Sequence, residues 1–270
     1  MGAIYDIDGN QIITGGGDTG DEAVAREKLT GKVLIALGDS YTVGMTTQLS
    51  VLATKYGMIL DGRGIVGSNV CAHNGYIQPM CNRVETIASD YANGYTIGGS
   101  TYYADDVAII TFMGGANDGV SVIGNGLHDT DVTTIYGAMH KIFKVLQENF
   151  TKAIVMGITQ PANYSLVVSA QVTDDTKAQK FGFSDMEEAL VLDDVQFSNY
   201  CMGMKENAIR DMVIFYEAPL IDMYYEFPPV LNPANRSAYW NSDKLHLTSA
   251  GYDIIASAID KKIIEIWGTN

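Results

Sequence analysis

The sequence predicts an α/β fold, a mainly parallel sheet of five core strands with helices on both faces. Short, continuously apolar runs recur along the chain, among them "KVLIAL" and "DVAIITFMGG". Segments with helical spacing separate them. Strands that are apolar on both sides, joined by helices, are what a sheet covered on both faces requires. Such connections are right-handed crossovers.

Taken in order, residues 1–30 stand apart as an N-terminal extension, with the main domain over 31–270. "IYDIDGNQII" has apolar residues on both sides of Asp8-Gly9, a hairpin turn signal. "TGGGDTG", Thr14 to Gly20, reads as a flexible linker, and "GDEAVAREKL" adds a helical turn or two. The first core strand is "KVLIAL". Thr42 to Gly57 has helical spacing, with Val43, Leu49, Leu52 and Ala53 on one side. "GMILD" is a second strand. A helix is expected from near Tyr76 to about Ala92, with Pro79 suited to a first turn. "DVAIITFMGG", Asp106 to Gly115, is the clearest strand. "DVTTIYGAMHKIFKVLQENF" is amphipathic, with Ile135, Met139, Ile142, Phe143 and Leu146 sharing a face. "KAIVMGIT" is the next strand, a helical region covers about Met186 to Tyr216 with a break expected at Gly203, and "APLIDMY" is a short last strand. "TSAGYDIIASAIDKKIIEIW" closes the chain as a helix. Asn93 to Asp105 and Asn163 to Ser184 fit no core element and are expected to shape a rim or a lid.

The bulk numbers bound the function. A chain of 270 residues suits one α/β domain, and 47% apolar residues suffice for a packed core. The formal net charge is -15, with 32 acids against 17 bases, which argues against nucleic acid and against anionic membrane surfaces. No apolar run approaches the roughly 18 residues of a transmembrane helix. "MGAIYDIDGN" lacks the basic start and apolar stretch of a signal peptide, and Asp6 stands where a myristoylation signal has Ser or Thr. The sequence leaves the location open between the cytoplasm and a secreted, surface or tail-associated setting after processing. The cysteines Cys71, Cys81 and Cys201 show no Cys-x-x-Cys spacing and read as buried thiols, with a Cys71–Cys81 bridge left open.

In an open parallel sheet, ligands bind beyond the carboxyl ends of the strands. The polar residues expected there are Gly38, Asp39 and Ser40 after the first strand, and Gly67 in "GRGIVGSN" after the second. Asn117 and Asp118 of "GGAND" follow the third, and Asp243 and His246 of "SDKLHLTSAGY" precede the last helix. These are the parts that acyl transfer needs. A serine hydroxyl is a poor nucleophile until a base such as His246 removes its proton. Asp243, three residues before His246, can be aimed by a local turn at the other ring nitrogen. The backbone N–H groups of Ser40 and Gly67 and the carboxamide of Asn117 are candidate oxyanion donors.

The four blocks resemble those of the SGNH hydrolases, the GDSL esterase and lipase family. "GDSYT" is similar to the first, with Ser40 as nucleophile, and "GIVGSN" to the second, with Gly67 as oxyanion donor. "GGAND" is similar to the third, with Asn117 as a further donor, and "DKLHLTSAGY" to the last, with Asp243 and His246 as acid and base. The resemblance runs in the same order from Lys32 to about Gly268. It departs at Tyr41, where leucine is frequent, and at Leu247, where proline is frequent. It implies a three-layer α/β/α sandwich resembling flavodoxin, no cofactor, and a serine loop without a Gly-x-Ser-x-Gly elbow.

Each of these residues also has a plainer reading. Ser40 can be only a helix N-cap, Asp39 a structural acceptor of loop amides, and Asn117-Asp118 a turn pair, with Asp118 structural and Asn117 the better donor. "GRGIVG", Gly62 to Gly67, matches Gly-x-Gly-x-x-Gly but leads into "SNVCAHNGY" with a turn at Asn74-Gly75, so a dinucleotide site is not expected. His73, His128 and His140 lack a matching ligand set, and "HDTD" reads as solvated loop polarity, so no metal is expected. The tyrosines from Tyr91 to Tyr103 either stack on sugar rings or pack as a surface loop.

The sequence thus predicts a serine esterase acting on a small acyl ester through an acyl-enzyme. An O-acetylated carbohydrate is the substrate guess. The rival reading is a carbohydrate-binding or structural module of a larger surface or phage tail protein. Its motivation is the N-terminal ribbon and glycine linker, which either pack on the main domain or lead from a neighbouring one.

Overall fold

The computed structural model describes residues 4–5, 11–13, 20–73, 75, 77–118, 123–161, 194–227, 236–243 and 245–269. The Asp8-Gly9 turn, Thr14–Thr19, Asn74, Tyr76, the Asn163–Ser184 segment and residues 186–193 of the expected long helix lie outside them.

Strands β3 (Val33–Gly38), β4 (Ile59–Gly64), β7 (Val107–Met113), β8 (Ile154–Ile158) and β9 (Leu220–Ile221) form a five-stranded sheet in the order β4-β3-β7-β8-β9. All of its pairings are parallel. Before it come the antiparallel pair β1 (Ile4–Tyr5) and β2 (Gln11–Ile13), the ribbon expected around Asp8-Gly9. Helix α1 (Gly20–Leu29) follows; it is longer than expected, with Ala25 and Leu29 fully buried.

Alternation along each strand feeds two cores, one on each face. Val33, Ile35 and Leu37 join one cluster with Val84 and Ile87 of α4 (Met80–Asn93), Ile142 and Phe143 of α5 (Ile135–Asn149) and Ile209 of α6 (Asp194–Phe215). Leu34 and Ala36 join the other, with Leu49 of α3 (Thr46–Lys55) and Ile255 and Ile259 of α9 (Ser249–Trp267). Every residue of β3 is therefore buried, which is why "VLIALG" shows no polar face. The apolar face expected of α5 is entirely inside.

Several local expectations are corrected. The helix expected over Thr42–Gly57 is two helices, α2 (Ser40–Gly44) and α3, meeting at Met45. The break shifts the phase, so Val43 is 40% exposed while Leu49, Leu52 and Ala53 are buried. Helix α4 starts at Met80 rather than near residue 76, with extended Pro79 at its cap. Proline holds the residue before it out of the helical region. Helix α6 runs through Gly203 without a break. A Cβ at Gly203 would lie 3.0 Å from the Tyr224 hydroxyl, so tertiary packing overrides the low helix propensity of glycine.

Asn93–Asp105 contains a hairpin of β5 (Tyr95–Ile97) and β6 (Ser100–Tyr102) that runs into the start of β7. Lys32, at the start of β3, donates to the Asp105 carbonyl. The hairpin thus sits at the amino end of the sheet, not at a rim over the carboxyl ends. Tyr91 is fully buried, and Tyr95 and Tyr102 pack against the core. Cys71 and Cys81 are buried and not joined to each other.

Candidate active site

The first loop begins where β3 ends. A Cβ on Gly38 would run into the Thr42 hydroxyl and the Met113 carbonyl, so only glycine fits there. Asp39 then caps α2, accepting the Tyr41 backbone N–H at 2.9 Å. That cap fixes Ser40 as the first residue of the helix, 9% exposed.

The histidine arrives from the other end of the chain. Its turn is built around one carboxylate. Asp243 Oδ1 accepts the backbone N–H groups of Leu245 (2.9 Å) and His246 (3.0 Å). Asp243 Oδ2 lies 2.7 Å from His246 Nδ1. The His246 ring beside it, together with these backbone donors, holds the Asp243 carboxyl below the usual carboxylate range. On the other side of the ring, Nε2 is 2.9 Å from Ser40 Oγ. The carboxylate, imidazole and hydroxyl therefore form one hydrogen-bonded line. Nδ1–H donates to the carboxylate and Nε2 accepts the hydroxyl proton in the tautomer that satisfies both contacts.

The second and third loops are laced together beside it. Asn69 Nδ2 donates to the Asn117 carbonyl (2.6 Å), and Asn117 Nδ2 donates to the Ser68 carbonyl (3.0 Å). Buried Asp118 accepts the Val70 and Cys71 N–H groups at 2.8 and 3.0 Å. The second loop is tied back to β3. Ile65 N donates to the Gly38 carbonyl, and Arg83 reaches that carbonyl, the Ser68 hydroxyl and the Arg63 carbonyl. Burial, and after it the nearby Arg63, lowers the Arg83 pKa to about 10. Gly67 has φ +76, a left-handed conformation that favours glycine. A carboxamide nitrogen carries two hydrogens, so Asn117 keeps one beyond its bond to Ser68.

Among solved structures, the chain is similar to a protein from Lactobacillus plantarum at 23% identity. The match covers 87% of this chain and 98% of that one, with a TM-score of 0.60. A lipase/acylhydrolase from Enterococcus faecalis matches at 14% identity over 87% and 96% of the two chains, TM-score 0.51. An acetyl xylan esterase, AlAXEase, matches at 17% identity over 85% and 98%, TM-score 0.51. The fold is that of the SGNH hydrolases. No protein-family model and no curated protein matches the sequence.

Within this SGNH fold, sequence reasoning missed a buried polar layer beneath Ser40. Gln160, at the carboxyl end of β8, donates its side-chain amide to Asp39 Oδ2 (2.8 Å). Its backbone N–H donates to Glu206 Oε2 (2.9 Å), and Lys205 donates to the Gly115 carbonyl (3.2 Å). Burial pushes Asp39 up to about 7 and Glu206 up to about 8. The signal available was a Lys-Glu pair inside an otherwise apolar helix face, which names no partner.

The plainer residues fall into place too. Asp129 and Asp131 accept backbone N–H groups of the turn that leads into α5. Gly62 and Gly64 lie in β4, and among the described residues the next helix after that strand starts only at Met80, so "GRGIVG" lacks the geometry of a dinucleotide loop.

Proposed function

We propose that the chain is a serine ester hydrolase acting through an acyl-enzyme. One observation carries the reading. The Ser40 hydroxyl, the His246 imidazole and the Asp243 carboxylate lie in line at 2.9 and 2.7 Å. In the proposed reaction Ser40 Oγ attacks the ester carbonyl carbon while His246 Nε2 takes the hydroxyl proton. The imidazolium formed is stabilised by Asp243. The backbone N–H groups of Ser40 and Gly67 and the free N–H of Asn117 receive the negative oxygen of the tetrahedral intermediate. His246 returns the proton to the departing alcohol oxygen, and the acyl group remains on Ser40. A water, deprotonated by the same imidazole, then attacks the acyl carbon, and collapse of the second intermediate releases the carboxylic acid and restores the Ser40 hydroxyl.

The substrate proposed is a short acyl ester, with an O-acetylated carbohydrate to be tried first. The acetyl xylan esterase among the structural neighbours motivates that choice.

The test is hydrolysis of p-nitrophenyl acetate by wild type and Ser40→Ala. The expected loss in the variant is at least about 1,000-fold in kcat. Equal rates would remove the esterase reading. Acetate release from acetylated xylan, set against p-nitrophenyl octanoate turnover, then ranks acyl length. Preference for the octanoate would overturn the short-acyl proposal.

A further inference from the structure

We propose that Tyr41 is a positioning residue. Its hydroxyl straps the histidine-bearing turn to the serine-bearing helix and so sets the Ser40–His246 distance. The inference rests on the esterase reading above.

Tyr41 immediately follows Ser40 and is 1% exposed. Its phenol donates to the Leu245 carbonyl at 2.6 Å, across 204 residues of sequence. Leu245 is the residue before His246 and belongs to the turn wrapped around Asp243. The strap therefore joins the residue after the nucleophile to the residue before the base. Its ring also lies beside the His246 ring, with centroids 6.0 Å apart, and meets Tyr252 of α9 edge-on at 6.4 Å.

The turn needs such a tie. The Asp243 side chain is 49% exposed and the His246 side chain 31% exposed, so the pair itself is lightly packed, while Leu247 beside it is buried in the core. The bonds inside the turn keep Asp243 and His246 together but do not fix where they sit as a unit. Asn241 bonds to the His246 and Leu247 carbonyls, and Trp240 pairs with Leu247, which anchors the side of the turn that leads into α9. A buried phenol bonded to the Leu245 carbonyl adds a direct tie between the turn and the helix that carries Ser40. Tyrosine at this position has a use that leucine, frequent there in the family's motif, cannot serve.

Tyr41→Phe removes only the hydroxyl. The control is Tyr56→Phe, which removes an equally short bond from a buried phenol, to Asp260 at 2.6 Å, at the far end of α3. Both variants of the full chain are assayed on p-nitrophenyl acetate well below their melting temperatures. Concentrations are normalised by titration with a fluorophosphonate. The expected result for Tyr41→Phe is a kcat lower by roughly tenfold or more with KM within about twofold, since a misplacement of about 1 Å can cost up to about 100-fold. Its phosphonylation rate falls in step. Tyr41→Leu shows the same direction. Tyr56→Phe loses thermal stability while keeping kcat within about twofold. A purely structural Tyr41 would lower the melting temperature in the same way and leave kcat alone. Unchanged kcat in Tyr41→Phe, or equal losses in both variants, overturns the inference while the esterase reading stands. A wild type that neither turns over nor is phosphonylated overturns both.

Discussion

Among the described residues Asn117 donates one carboxamide hydrogen, to the Ser68 carbonyl. Asn117→Ala is expected to lower kcat by about 100-fold through loss of a proposed oxyanion donor. It should also cost about 1 kcal/mol of stability through the lost loop bond. An ester assay beside a urea melt separates the two, and a stability loss without a kcat loss would place Asn117 in the loop alone. The buried acids make a different prediction. Burial raises Glu206 from its ordinary 4.5 to about 8 and Asp39 from 3.8 to about 7. Between those values the folded chain holds protons that the unfolded chain releases. Their contribution to stability is thus fully present below about pH 4 and is lost as pH rises through about 7 to 8. Glu206→Gln keeps an oxygen for the Gln160 N–H and removes one titration. The melting temperature of wild type should fall more steeply from pH 5 to 8 than that of Glu206→Gln. Parallel curves would show that Glu206 is ionised throughout.

At the scale of elements, the strap of close contacts around Gly38 is what turns β3 into a platform for Ser40. Gly38→Ala would push a methyl into the Thr42 hydroxyl and the Met113 carbonyl, one of them main chain that cannot swing aside. An expected loss of about 1–3 kcal/mol in urea melts, together with weakened ester turnover, follows from such overpacking. The strands were legible because burial on both faces leaves an uninterrupted apolar run, as in β3 and β7. Helix α5 was legible because only one of its faces is inside. The split at Met45 was not. Beside it Gly44 lies against the Tyr252 hydroxyl, contributed by a helix 208 residues later, where a Cβ would overlap it. The uninterrupted course of α6 through Gly203 has the same kind of cause, as does the placement of the Tyr95–Tyr102 hairpin.

Across the whole molecule, local blocks met through tertiary contacts that no single block announces. Ser40, Asp243 and His246 could be picked out by residue type and order. The Gln160–Asp39 bond, the Asn69–Asn117 exchange and the Tyr41–Leu245 strap span 121, 48 and 204 residues, and nothing local in the sequence encodes them. The N-terminal segment illustrates the same dependence. Ala25 and Leu29 of α1 are fully buried in the core that includes α9. Removing residues 1–30 is expected to destabilise the chain by about 2–4 kcal/mol, from roughly 1.5–3 kcal/mol for the leucine and less for the alanine. Removing only 1–19 should leave α1 and the melting temperature nearly intact. Equal melting temperatures for the two truncations would contradict that role for α1.

In the proposed reaction one hydroxyl, that of Ser40, is activated by one imidazole, that of His246. Intact-mass analysis after incubation with a fluorophosphonate reads this without any choice of natural substrate. A single adduct on Ser40 in the wild type, lost or slowed at least about 100-fold in His246→Ala, is the expected result. No adduct on Ser40, or labelling of the His246→Ala chain at the wild-type rate, would contradict activation of Ser40 by His246.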